Sequence, residues 1–290
     1  MANIDDTKQI CPAPTGKLVV IGGHENKDGA IEKKAQEGSG SAMEVLETFI
    51  KLCKSEDPVI EVITTASSEG DESYEDYRKA FDKLGIRNLG HLHHSKRSEA
   101  TADECIDRLK RADGVFLSGG DQLKLTSIYG GTHILTLLKE RYIYEELVIG
   151  GTSAGAMAMS TPMIFAGSME KQMIAGEVKI TTGLEFLRDI CIDTHFVDRG
   201  RFVRMAQVIS TNPTSLGIGI EEDTAIVVTH GKHAEVIGSG VVIVIDGHNS
   251  TKTNITEFGD NMKLSIRDLK VHILAKGDQF EFPIDNPPHQ

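Results

Sequence analysis

Cysteine is scarce in these 290 residues, and none of the four (Cys11, Cys53, Cys105, Cys191) stands at C-x-x-C or zinc-type spacing from another. That scatter excludes a disulfide framework and a cysteine-held metal site. Three of the four fall in apolar-patterned segments, as buried free thiols do. Long apolar runs are missing too. Nowhere do about 18 uncharged apolar residues follow one another, and residues 1–6 have neither the basic nor the apolar part of a leader. Positive charge is in short supply, with 31 Lys and Arg against 43 Asp and Glu and a net charge of −12. Such a surface repels phosphate, which excludes a general nucleic-acid or anionic-membrane binder. The chain has no P-loop, no dinucleotide fingerprint, no internal repeat and no low-complexity segment. The expectation is a soluble, cytoplasmic protein with no nucleic-acid or membrane partner and with neither metal nor organic cofactor.

What is present is an alternation of strand and helix signals. Residues 1–15 are polar and hold two prolines, which reads as a flexible arm; residues 16–290 read as a single α/β domain. Lys17–Ile21 is a β-branched run ended by Gly22-Gly23, a buried first strand by type. Asp28–Gly40 is charged and glycine-bearing, a surface loop. Ala42, Val45, Leu46, Phe49 and Cys53 then recur at helical intervals, and Val59–Thr65 is a second strand. Tyr74, Tyr77, Ala80, Phe81 and Leu84 mark another helix, and Ile86–His93 holds a third strand. Thr101 and Glu104 have capping-box spacing ahead of the next helix. Strand, helix, strand at this spacing predicts a mostly parallel central sheet with helices on both faces. Beyond residue 205, Leu216–Ile220, Ala225–Thr229, Ala234–Ile237, Val241–Ile245 and Leu269–Ala275 are short β-rich runs, expected to extend that sheet with antiparallel strands.

In such sheets sites form at the carboxyl ends of strands. Two strands here end in glycine turns, Gly119-Gly120 and Gly150-Gly151. The second continues as Gly151-Thr152-Ser153-Ala154-Gly155, the G-x-S-x-G spacing that lifts a serine hydroxyl out of a tight strand-to-helix turn. An isolated match also fits a helix-capping serine. A nucleophilic serine needs a base, and the base needs an orienting group. Of eleven histidines, His91, His93 and His94 lack acidic or cysteine partners at ligand spacing and read as a solvated cluster. His195 follows the apolar run Ile190-Cys191-Ile192 and so sits at a strand end. Arg199, Arg201 and Arg204 come directly after it, suited either to a solvated helix face or to clamping carboxylates with their planar forks. Glu221-Glu222-Asp223 closes the Leu216–Ile220 strand, as a solvated turn or as the source of the orienting acid.

Gly119-Gly120-Asp121-Gln122, Gly151-Thr152-Ser153-Ala154-Gly155-Ala156, Asp193-Thr194-His195-Phe196 with Arg199-Gly200-Arg201, and Gly217–Ala225 resemble, in order, the motifs of the cyanophycinases. These are serine peptidases of the family that also holds aspartyl dipeptidase. The resemblance runs from about Lys17 to the final strands. It implies a class I glutamine amidotransferase-like (flavodoxin-like) sandwich, with Ser153 as nucleophile, His195 as base and Glu222 as third member. It implies an oxyanion hole from Ala154 and the Gly120-Asp121 turn, and substrate contacts from Gln122, Asp193, Arg199, Arg201 and Arg204. It also implies a substrate: cyanophycin, a polyaspartate with arginine on each β-carboxyl, cleaved to β-Asp-Arg dipeptides. The expected partners are cyanophycin or acidic β-Asp-Arg peptides, and a homodimer is the expected assembly. The order Ser, His, Glu excludes an ordinary α/β-hydrolase, which runs Ser, acid, His. An aspartyl or isoaspartyl dipeptidase, and a non-catalytic ligand-binding relative, stay open as alternatives.

Overall fold

The computed structural model describes residues 12–28, 43–167, 171–257 and 262–282. Most of the expected arm, most of the expected Asp28–Gly40 loop and Cys11 lie outside them. Residues 12–16 run beside the end of a helix, where the amides of Thr15 and Gly16 donate to the carbonyls of Ile143 and Tyr142.

Five parallel strands form the centre: β1 (Lys17–Ile21), β2 (Ile60–Ile63), β3 (Leu89–Leu92), β4 (Gly114–Leu117) and β5 (Val148–Thr152). Their order across the sheet is β3-β2-β4-β5-β1. Leu18, Val19, Val20 and Ile21 have no exposed surface, the mark of a strand covered on both faces. Alternate side chains enter two cores. Val19 and Ile21 meet α1 (Glu44–Leu52) and α2 (Gly70–Lys83) around Phe49, Phe81 and Phe116. Leu18 and Val20 meet α3 (Asp103–Arg111), α4 (Gln122–Tyr129) and α5 (His133–Tyr144). Helices therefore lie on both faces, and each buried aliphatic side chain contributes about 1.5–3 kcal/mol.

The C-terminal strands divide in a way the β-rich runs do not announce. Thr224–Thr229 pairs antiparallel with β1, and His233–Gly238 and Gln279–Glu281 continue outward, so these extend the central sheet as expected. Leu216–Ile220, Val242–Asp246 and Lys270–Leu274 instead build a second sheet with Ile190–Thr194. The reason is packing. Ile218, Ile220 and Val244 join the core of the central sheet, while Cys191 and Ile245 face a separate core under α7 (Phe202–Thr211), so the layer needs two covered faces of its own.

Two smaller expectations are corrected. Helix α3 is capped by Ala102 with no side-chain bond, while Thr101 closes a preceding turn on the carbonyl of Ser98. Of His91, His93 and His94 only His93 is exposed as expected, and all three rings are hydrogen-bonded within the fold. Thr64 Oγ1 bonds His91 Nε2 (2.7 Å) and His93 Nδ1 (3.0 Å), and buried His94 bonds the Tyr129 hydroxyl (2.7 Å). The described cysteines are all free. Among the described residues no helix is long and apolar enough to cross a membrane.

Candidate active site

The carboxyl end of β1 ties three chain segments together through its backbone. Ile21 accepts from the amide of Ser153 (3.1 Å), Gly22 from that of His195 (2.9 Å) and Gly23 from that of Asp223 (2.9 Å). Each arriving residue turns sharply: φ is 51° at Ser153, 49° at His195 and 49° at Asp223. Left-handed backbone at non-glycine residues costs about 1–3 kcal/mol each and gathers at functional sites.

Ser153, with φ 51° and ψ −113°, stands between β5 and the short helix α6 (Ala154–Ala158). The flanking glycines are required by contact. A β-carbon on Gly155 would lie 2.3 Å from the carbonyl oxygen of Leu117, and one on Gly151 would lie 2.6 Å from Met159 Cε. The turn therefore packs against β4 and leaves the hydroxyl half-buried and reachable.

Ser153 Oγ is 2.9 Å from His195 Nε2, and His195 Nδ1 is 2.5 Å from Glu222 Oε1. With the proton on Nδ1, the imidazole donates to Glu222 and can accept from the hydroxyl, the arrangement a serine nucleophile requires. Burial lowers the His195 pKa below the ordinary value, as do the charges of Arg199 and His24, against the pull of Glu222. That shift favours the neutral ring at neutral pH, the form a base needs. Burial raises the Glu222 carboxyl, but hydrogen bonds from His195 and His24 outweigh it and bring it below the usual range. Glu221 points the other way, where its Oε2 accepts from the amide of Val241 (2.9 Å).

The Gly119-Gly120 turn adjoins the serine, since a β-carbon on Gly119 would stand 3.4 Å from Ser153 Cβ. Asp121 does not offer an amide there. Its N–H donates to the carbonyl of Ala66 (2.9 Å), and its carboxylate caps α4 on the amide of Leu123. The amides of Gly120 and Ala154 make no such bond among the described residues. Gln122 gives its amide N–H to the carbonyl of Ile164 (2.8 Å), leaving its side-chain oxygen as acceptor.

The arginines divide. Asp193 is fully buried, and both its oxygens are taken by Arg204, from Nε at 2.6 Å and from Nη2. Arg201 Nη1 adds a bond to Asp193 (3.0 Å) and another to the Thr194 carbonyl (2.6 Å). Asp193 is therefore not placed to receive a substrate guanidinium, and Arg204 anchors α7 to the strand Ile190–Thr194. Arg199 is exposed, and Arg201 keeps Nε and Nη2 uncommitted among the described residues.

Two residues near the site have no signal in the sequence beyond following the glycine pair. His24, at φ 46°, places Nδ1 2.9 Å from Glu222 Oε2. Glu25 is buried and accepts from the hydroxyls of Thr152 and Tyr77, each at 2.5 Å, so it steadies the residue before Ser153.

Residues 33–237 match the model of peptidase family S51. The chain is 33% identical over 275 residues to the cyanophycinase of Synechococcus elongatus, covering 95% of this chain and 82% of that one. It is 30% identical over 270 residues to the cyanophycinase of Geminocystis herdmanii, covering 93% and 95%. Among solved structures, a peptidase from an acI-B1 actinobacterium superposes with a TM-score of 0.65 at 20% identity, over 93% of this chain and 98% of that one.

Proposed function

Because the chain belongs to peptidase family S51, we propose that it is a serine peptidase that degrades cyanophycin to β-Asp-Arg dipeptides, with Ser153, His195 and Glu222 as its triad. The observation that carries this reading is the continuous chain of hydrogen bonds from Ser153 Oγ through both imidazole nitrogens to Glu222.

In the first step Ser153 Oγ attacks the scissile carbonyl and His195 Nε2 takes its proton. Glu222 holds the imidazole in the required tautomer and stabilises the imidazolium. The developing oxyanion is received by the amides of Ala154 and Gly120, each such donor being worth about 3 kcal/mol of barrier. His195 then passes the proton to the leaving amine, and water, activated by the same imidazole, releases the acyl group. Arg199, close enough to lower the His195 pKa, and the uncommitted Nε and Nη2 of Arg201 fit the arginine α-carboxylates that cyanophycin presents along its backbone. The side-chain oxygen of Gln122 is the acceptor for a substrate N–H or guanidinium.

The five parallel strands with helices on both faces, and the order Ser, His, Glu along the chain, support a class I glutamine amidotransferase-like sandwich. We read the assembly as a homodimer and the location as cytoplasmic. The test is incubation of the purified protein with insoluble cyanophycin granules, reading released dipeptide. Release by the parent and none by Ser153→Ala supports the reading; an inert parent that binds the polymer points to a ligand-binding relative.

A further inference from the structure

At the solvent edge of the site a second imidazole shares the triad carboxylate. His24 Nδ1 approaches Glu222 Oε2 (2.9 Å), the oxygen opposite the one that faces His195 Nδ1 (2.5 Å). The two rings meet edge-on, with centroids 5.0 Å apart and planes at 77°. One donor atom from each of His24, His195 and Glu222 lies within 4.8 Å of the other two. The left-handed backbone of His24 turns its ring over the site, and its side chain remains 69% exposed while that of His195 is 4% exposed.

Two imidazoles and one carboxylate are the protein donors of a three-ligand zinc centre with a fourth position left to water. Nitrogen donors of this kind suit Zn2+ and its first-row neighbours better than Mg2+ or Ca2+. Around a tetrahedral ion with bonds of about 2.0–2.2 Å the donors stand roughly 3.3 Å apart, so small side-chain shifts suffice. The exposed ring of His24 gives the ion a way in.

We propose that His24, His195 and Glu222 bind a divalent transition-metal ion of the Zn2+ class and that occupancy switches the peptidase off. Binding forms two metal–nitrogen bonds and one metal–oxygen bond, and as the metal takes His195 Nδ1 the ring proton shifts through solvent to Nε2, leaving the imidazole neutral; nothing is oxidised or reduced. A metal-bound imidazole no longer accepts the serine proton, and Glu222 no longer orients it. Only the loss of activity rests on the peptidase reading, since binding is a property of the three side chains.

The test uses the full chain stripped with chelator and titrated with Co2+, whose visible spectrum reports its coordination. The expected result is one equivalent bound, displaced by Zn2+. In His24→Asn, a replacement that tolerates left-handed backbone, the dissociation constant rises more than about tenfold. In turnover assays Zn2+ inhibits the parent, chelator restores it, and the ratio of rates with and without Zn2+ moves toward one in His24→Asn. Equal Co2+ affinity in parent and variant, or equal inhibition of both, overturns the proposal. His24-dependent binding by a parent inert on cyanophycin keeps the metal site and sinks the peptidase reading. An active parent indifferent to Zn2+ does the reverse.

Discussion

The imidazole of His195 occupies the space that a side chain on Gly23 would need. A β-carbon at residue 23 would lie 2.4 Å from His195 Cε1 and 2.5 Å from Nε2. The backbone of the same glycine pair receives the amides of His195 and Asp223, so one two-residue turn both holds the segment of the base and makes room for its ring.

Gly23→Ala should therefore displace the ring from Ser153. The substitution also strains the backbone, since φ is +102° there. We expect kcat/KM to fall by about 100-fold or more, as for an ångström-scale misplacement of a catalytic group, with the circular dichroism spectrum retained and a modest loss of Tm. Parent-like turnover in a folded Gly23→Ala protein would show that His195 does not work from this position.

Ser153→Ala removes the hydroxyl and nothing else, because alanine fits wherever serine does. Hydrolysis should disappear while Tm and polymer binding stay at parent levels, and a small serine-directed reagent should no longer label the protein. Appreciable turnover by the variant would remove the serine from the mechanism.

The pH dependence follows from the base. His195 must be neutral to accept a proton, and its pKa lies below the ordinary 6.5, chiefly through burial, with Arg199 lowering it further. The neutral form therefore persists below pH 6.5, and the acidic limb of serine labelling should fall there. Arg199→Ala takes away a like charge, so the His195 pKa rises and the limb moves to higher pH. Labelling by a small uncharged reagent isolates this from substrate binding, and a limb that stays in place or moves down contradicts the assignment.

Sequence alone reveals Ser153 because its spacing is forced by contacts, as the close approaches at Gly151 and Gly155 make plain. It reveals His195 because an apolar run fixes a strand end. Alternation along extended backbone separates Glu221 from Glu222 without saying which faces the histidine. The second sheet is hidden, because an apolar β-run records that a strand is covered and not by which layer. The division of the arginines is hidden too. Their partner Asp193 lies on another element, eight residues before Arg201 and eleven before Arg204, and its burial depends on the tertiary fold. His24 and Glu25 carry no periodic or motif signal; only the fold, which brings Glu222 to His24 and both Thr152 and Tyr77 to Glu25, gives them partners.

The three arginines should separate by what their loss damages. Arg204→Ala leaves the fully buried Asp193 with Arg201 as its remaining cationic partner. Breaking a buried pair costs about 3–5 kcal/mol, because the remaining charge keeps its desolvation penalty. A Tm drop on the order of 10 °C is expected. Arg199→Ala touches an exposed side chain and should leave Tm almost unchanged, while losing a charge-assisted contact worth roughly 1.5–3 kcal/mol, or about tenfold to a hundredfold in kcat/KM on the polymer. Arg201→Ala should do some of both, since Nη1 serves Asp193 while Nε and Nη2 stay uncommitted among the described residues. Melting curves and polymer kinetics on the three single variants decide the matter. If Arg204→Ala melts with the parent and loses polymer cleavage, then Arg204 is a substrate ligand and the buried pair is not what holds α7. If Arg199→Ala digests the polymer like the parent, the exposed arginine is a solvated charge, and recognition of the arginine carboxylates falls to Arg201 alone.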